Sequence, residues 1–152
     1  MVEIAGKISK AVENVSYEQW LINHGAKHEK IINLLQAKQY SKKQIVEYFD
    51  YENMRLEHPE FCILYAKNQK CHDTKDLNCF FCGCPHFRFF TRPKDNLHSY
   101  CSIDSKDGEQ ICYETGIHQD CTYCTIPHKT SYVLQFYTHK WNEKMSLCKI
   151  ET

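Results

Sequence analysis

Cys79-Phe80-Phe81-Cys82-Gly83-Cys84-Pro85-His86 and, further along, Cys121-Thr122-Tyr123-Cys124-Thr125-Ile126-Pro127-His128 are the stretches that decide how this chain is built. Two residues between cysteines let both sulfurs reach one ion around a turn, and two such pairs complete a tetrahedral site. Nine of the ten cysteines lie between Cys71 and Cys148. The simplest arrangement joins Cys79 and Cys82 with Cys121 and Cys124 in one four-thiolate site. It leaves Cys71, His72, Cys84, His86, Cys101, Cys112, His128 and Cys148 as candidates for a second site. A competing partition puts Cys84 on one centre with Cys79 and Cys82. Spacing alone leaves both partitions open.

The donor set suits a soft or borderline metal. Zinc is the expected ion, because paired cysteines around short turns are its usual structural ligands. An iron–sulfur cluster is the alternative. Cys84-Pro85 matches the Cys-Pro step of bacterial cluster ligation, and Phe80, Phe81, Phe87, Phe89, Phe90 and Tyr123 crowd the ligands with aromatic shielding. The full ferredoxin spacing is absent.

The chain of 152 residues has 42% apolar and 13% aromatic residues, enough for one core. Nineteen basic side chains balance nineteen acidic ones, and no block of like charge marks a nucleic-acid or membrane tail. A zinc ion held by four thiolates adds a charge of about −2, which further disfavours binding to a phosphate backbone. No apolar run is long enough to span a bilayer, and the residues before Ser16 lack the apolar stretch of a secretory leader. The expected compartment is therefore the cytoplasm, where thiols stay reduced and act as ligands rather than disulfides.

Residues 1–58 carry no cysteine and read as a helical hairpin extension; residues 59–152 form the cysteine-rich metal-binding domain. Ser16-Tyr17-Glu18-Gln19 and Ser41-Lys42-Lys43-Gln44 fit the capping-box pattern. Trp20, Leu21, His24, His28, Ile31, Ile32, Leu34 and Leu35 follow the first with helical periodicity, and Ile45, Tyr48, Phe49 and Met54 follow the second. Pro59 ends the second helix. Between Gln69 and Gly116 little regular structure is expected beyond the loop Asp104–Gly108. A last helix starts near Thr130 or Ser131 and places Val133, Phe136, Tyr137 and Trp141 on one face. The expected fold is α-rich, α+β to a small extent at most. It comprises the hairpin, an irregular metal-stapled module and the C-terminal helix.

Three segments carry a resemblance. They are Cys71-His72, then Asn78-Cys79-Phe80-Phe81-Cys82-Gly83-Cys84-Pro85, then Asp120-Cys121-Thr122-Tyr123-Cys124-Thr125-Ile126-Pro127-His128. Over residues 62–138 the chain resembles the cysteine-rich small domain family of bacteria and archaea, to which metal binding is ascribed. The resemblance implies ligation through Cys71, His72, Cys79, Cys82, Cys84, Cys121, Cys124 and His128. Gly83 and His86 depart from the bulkier and aliphatic residues common in that family, and neither change removes a ligand.

Other features read more plainly. Cys101 and Cys112 join the candidate ligands, whereas Cys62 and Cys148 are read as small buried apolar residues. His24 and His28 stand one helical turn apart, but no glutamate follows His24, so the metalloprotease pattern is missing and packing is the reading. The run from Phe87 to Lys94 reads as a hydrophobic strand with solvated basic neighbours rather than a base-stacking platform. No paired carboxylates or nucleophile elbow are visible. The expected function is a non-catalytic binding or adaptor module with thiolate-rich zinc and a protein partner. The alternative is a cluster protein acting in electron transfer or in metal delivery to an enzyme.

Overall fold

The computed structural model describes residues 16–151. The leader reading and the first part of the hairpin extension, residues 1–15, fall outside them. Helix α1, Tyr17–Ala37, begins at Ser16, whose hydroxyl accepts from the Gln19 N–H at 3.0 Å. The Gln19 side chain does not return to the cap; it donates to Asn23 Oδ1 instead. Helix α2, Lys42–Tyr48, has the complete capping box of Ser41 and Gln44. Gln39 at φ 60° and the bond from Tyr40 N–H to Leu35 C=O close α1 and turn the chain back.

The second helix is shorter than its periodicity predicts. It stops at Phe49, and helix α3, Tyr51–Glu57, starts afresh under an Asp50 cap. The peptide groups freed at this break pair with the first cysteine motif. Cys79 N–H donates to Phe49 C=O at 2.8 Å and Tyr51 N–H to Leu77 C=O at 2.9 Å. A buried backbone group must find a partner, and here the interrupted helix supplies partners for the metal-binding segment.

The α-rich expectation is overturned by a five-stranded mixed sheet. Strands β1 (Phe87–Lys94), β2 (Leu97–Cys101), β3 (Glu109–Tyr113), β4 (Gly116–Asp120) and β5 (Lys149–Ile150) run in the order β3-β4-β2-β1-β5. The β1–β2 and β3–β4 pairs are antiparallel; β2–β4 and β1–β5 are parallel. The strands escape hydropathy because few of them alternate. Only β1 shows the pattern, burying Phe87 and Phe89. The buried positions of β2 and β4 include Ser99 and Gln119, tied by a 2.8 Å bond from Gln119 N–H to the Ser99 hydroxyl. Strand β3 is exposed along most of its length.

Turn geometry confirms the two hairpins. Asp95 and Asn96 both have positive φ, as a two-residue type I′ turn requires. Gly116 has φ +132°, and a Cβ there would sit 2.6 Å from Asn96 C=O. Only glycine lets the β3–β4 hairpin tuck beneath the β1–β2 turn.

The expected C-terminal helix is also divided. At the start of helix α4, Thr130–Phe136, the Thr130 N–H donates to the Asp76 carboxylate. The chain then extends at Tyr137, and helix α5, Trp141–Met145, follows. The Thr138 hydroxyl accepts from Lys140 N–H and holds this break.

The core is aromatic and continuous. His28 lies between Phe49 and Trp141, stacked on both, and its Nε2 donates to Phe80 C=O at 3.1 Å. His24 stacks on Trp20. Both histidines are interior packing residues rather than edge residues. One buried cluster joins residues on either side of position 58, from Ile31 through Phe61 to Cys148. Tyr17 at the start of α1 covers Phe87 and Phe89 on the sheet. Each side chain buried in this way contributes roughly 1.5–3 kcal/mol.

Candidate metal centre

Both cysteine motifs are built on turns. Cys82 N–H reaches Cys79 C=O at 3.3 Å, and Cys124 N–H reaches Cys121 C=O at 3.1 Å. Each turn presents its two sulfurs to one side, as the spacing predicts. The chain then reverses sharply within the first motif. Gly83 lies at φ +105° and Cys84 at φ +56°, so Cys84 leaves on the opposite course from Cys79 and Cys82.

That reversal separates the sulfurs into two groups around two small cavities. Cys62, Cys71, Cys79, Cys82 and His128 line a space of about 20 Å³, with Tyr51, Phe61 and Leu77 among its apolar walls. Cys84, Cys101, Cys121 and Cys124 line another of about 10 Å³, together with His86, Ser105 and Pro127. Either space takes a particle of about the size of one water molecule.

The first group carries imidazoles. Cys71, His72 and His128 bring one donor atom each to within 4.8 Å of the others. His72 Nδ1 lies 3.1 Å from Cys71 Sγ, and its Nε2 donates to Cys121 C=O at 2.8 Å. His128 Nε2 lies 3.9 Å from the same sulfur, and its Nδ1 donates to Asn78 C=O at 3.0 Å. Both rings therefore spend one N–H on a backbone carbonyl and turn the other nitrogen toward Cys71. Metal-ligating histidines are fixed in this manner. Burial, with His72 beside it, holds His128 down to about 3. The ring is thus neutral at ordinary pH, as a ligand must be.

Asn78 joins the pieces. Its side chain donates to Val46 C=O and accepts from Phe80 N–H. Its backbone bonds His128 in both directions. One residue thus links the end of α2, the first motif and the second motif.

The second group is assembled by sheet register. Leu97 and Ile117 pair in the parallel β2–β4 ladder, and Cys101 and Cys121 each stand four positions beyond them. Cys101 pairs with Phe87 across β1–β2, and Phe87 N–H donates to Cys84 C=O at 3.1 Å. Three cysteines therefore arrive at one end of the sheet. Ser105, in the loop after β2, bridges two sulfurs. Its N–H donates to Cys101 Sγ at 3.5 Å, and its hydroxyl lies 3.3 Å from Cys124 Sγ.

Electrostatics follow the same division. Burial pushes the Cys79 and Cys82 thiols up, and Cys62 and Cys71 add to the effect on both. Burial pushes Cys84 up to about 12, and there the neighbouring thiols that add to it are Cys121 and Cys148. Buried thiolates at such density need a cation beside them, which stabilises the deprotonated sulfur. The Tyr65 hydroxyl is buried without a hydrogen-bond partner and close enough to Cys79 to oppose its shift. A thiolate at Cys79 would give that hydroxyl an acceptor.

Of the ten residues expected as ligands, nine fall into these two groups: Cys71, His72, Cys79, Cys82 and His128 in the first, and Cys84, Cys101, Cys121 and Cys124 in the second. Cys112 joins neither. It is exposed on β3, its thiol near Tyr113 C=O. Neither partition weighed from spacing describes the arrangement, because each motif contributes to both groups. Cys62, read as an apolar filler, lines the first cavity; a cysteine nine residues before Cys71 was its only signal. Cys148 is buried, pushed up to about 11 mainly by that burial, and donates to Cys84 C=O. Asn78, Tyr65 and Ser105 were not read as site residues, and only Asn78, beside Cys79, carried a sequence hint.

Comparison of the chain with family models, with curated proteins and with solved structures finds no match. Among the described residues, no helix is long and apolar enough to cross a membrane.

Proposed function

We propose that this chain is a metal-binding protein whose fold is held by zinc at the first group. Cys71 Sγ, His72 Nδ1 and His128 Nε2 supply three donors, and the fourth comes from the cysteines of the same cavity. The observation that carries this reading is the commitment of one nitrogen in each imidazole to a backbone carbonyl while the other faces Cys71. A mixed thiolate–imidazole set of four suits zinc.

The role proposed is structural and non-catalytic. Cys62, Cys71, Cys79, Cys82 and His128 line a space of about 20 Å³, with His72 beside Cys71, so a four-coordinate ion could be closed by protein donors alone. The protein would act as a binding or adaptor module, with a protein as its partner. The test is elemental analysis with an absorption spectrum on protein purified without oxygen. Zinc with no visible absorption is the expected result. Iron with sulfide and a broad visible band would replace this reading with that of a cluster protein.

A further inference from the structure

We propose that Cys84, Cys101, Cys121 and Cys124 form a second, separate zinc centre of four thiolates. It shares only the class of ligand with the function proposed above and has its own protein donors. Three independent observations meet here. The four cysteines line one partly open space of about 10 Å³, room for a single small particle. The parallel β2–β4 register and the β1–β2 pairing deliver Cys101, Cys121 and Cys84 to one end of the sheet. Ser105 directs a backbone N–H at Cys101 Sγ and sets its hydroxyl against Cys124 Sγ. A backbone N–H donated to one sulfur and a hydroxyl set against another suit a metal-bound thiolate.

The donor set is all sulfur and contains no imidazole; His86, which lines the same cavity, is bonded to the Tyr132 hydroxyl at 2.9 Å. Four thiolates close a tetrahedral zinc site, and binding releases the thiol protons to solvent. The consequence is an interleaved pair of centres. Cys79 and Cys82 serve one ion and Cys84 the other, with Gly83 as the crossing point. In the second motif, Cys121 and Cys124 serve the sheet-end ion, and His128 turns back to the first.

The experiment measures zinc per chain in the purified wild-type protein, Cys101→Ser and His128→Ala. Two zinc ions in the wild type and one in Cys101→Ser is the expected result. A Cys101→Ser protein that keeps the wild-type zinc content overturns the second centre, whatever His128→Ala does. Zinc lost from Cys101→Ser but retained in His128→Ala supports the second centre and overturns the first. Should Cys101→Ser fail to fold, alkylation of the wild type decides. Cys101 is only partly buried, so a zinc-bound sulfur there is protected until a chelator is added. Equal Cys101 alkylation with and without chelator, with Cys112 labelled as the internal standard, overturns the proposal.

Discussion

The two cysteine cavities lie a few residues apart in sequence, yet they are made differently. The first is backed by the helical part of the chain. Phe61, Leu64 and Leu77 wall it, the His128 imidazole reaches into it, and Asn78 ties it to the end of α2. The second is made by the sheet: two strand ends, the Ser105 loop and the turn after Gly83. The difference shows what short spacing determines and what it leaves to the fold. Two intervening residues fix the turn that aims a pair of sulfurs. Which other sulfurs they meet depends on strand register and on one glycine.

The largest effect expected is from removing metal. Structural zinc contributes about 10–16 kcal/mol of apparent folding free energy in small zinc modules, far more than the marginal stability of a domain. A strong chelator should therefore abolish cooperative unfolding of the sheet region, while α1 keeps part of its helical signal. Circular dichroism before and after chelation checks this. A chelated protein with an unchanged melting curve would mean that the aromatic core alone holds both regions.

Next comes Gly83→Ala, which attacks the crossing point. The position has φ +105°, and a Cβ would lie 3.0 Å from both Met145 and Trp20. Backbone strain of this kind costs about 1–3 kcal/mol. Because Cys82 and Cys84 flank it, zinc content should fall in both cavities together. A denaturant midpoint with zinc analysis reads both effects; loss of zinc from one centre alone would show that the centres are not joined through this turn.

A smaller effect separates the helical region from the sheet by pH. Burial holds His28 down to about 3, against about 6.5 in an unfolded chain. Between those values the unfolded chain binds a proton that the folded chain does not, so stability falls as pH drops from about 6.5 toward 3. The slope attributable to this ring is at most about 1.4 kcal/mol per pH unit. Comparing the urea midpoints of wild type and His28→Gln from pH 7 to 5 should show a shallower loss in the variant. Equal slopes would mean that the ring takes up a proton within the fold.

The smallest effect is expected at Cys112→Ser. Its thiol is exposed and outside both groups, so zinc content should hold and stability should stay within about 0.5 kcal/mol. A drop in zinc would bring β3 into the second centre.

The helix starts were legible because capping is local: Ser16 and Ser41 announce them without help from the rest of the chain. The break at Phe49 was not legible, because the residues that accept its freed peptide groups lie near Asn78. The sheet was hidden for a related reason. Its buried positions include Ser99 and Gln119, and β3 is exposed, so no alternation of apolar residues marks β2, β3 or β4. Most of the residues that gather in the two groups could be picked out from the sequence, though not Cys62, and Cys112 was picked out but joins neither. Their division could not, since it follows from the parallel pairing of Leu97 with Ile117 and from the positive φ of Gly83 and Cys84.

If the two motifs are shared between two ions, the thiols should be freed in two sets. Zinc-loaded wild-type protein would be stripped stepwise by a chelator, alkylated, and resolved by mass so that species holding one zinc are read separately. Cys84, Cys101, Cys121 and Cys124 should then be labelled as one set while Cys71, Cys79 and Cys82 stay protected, or the reverse. Labelling of Cys79 and Cys82 together with Cys121 and Cys124 in a one-zinc species would contradict that division.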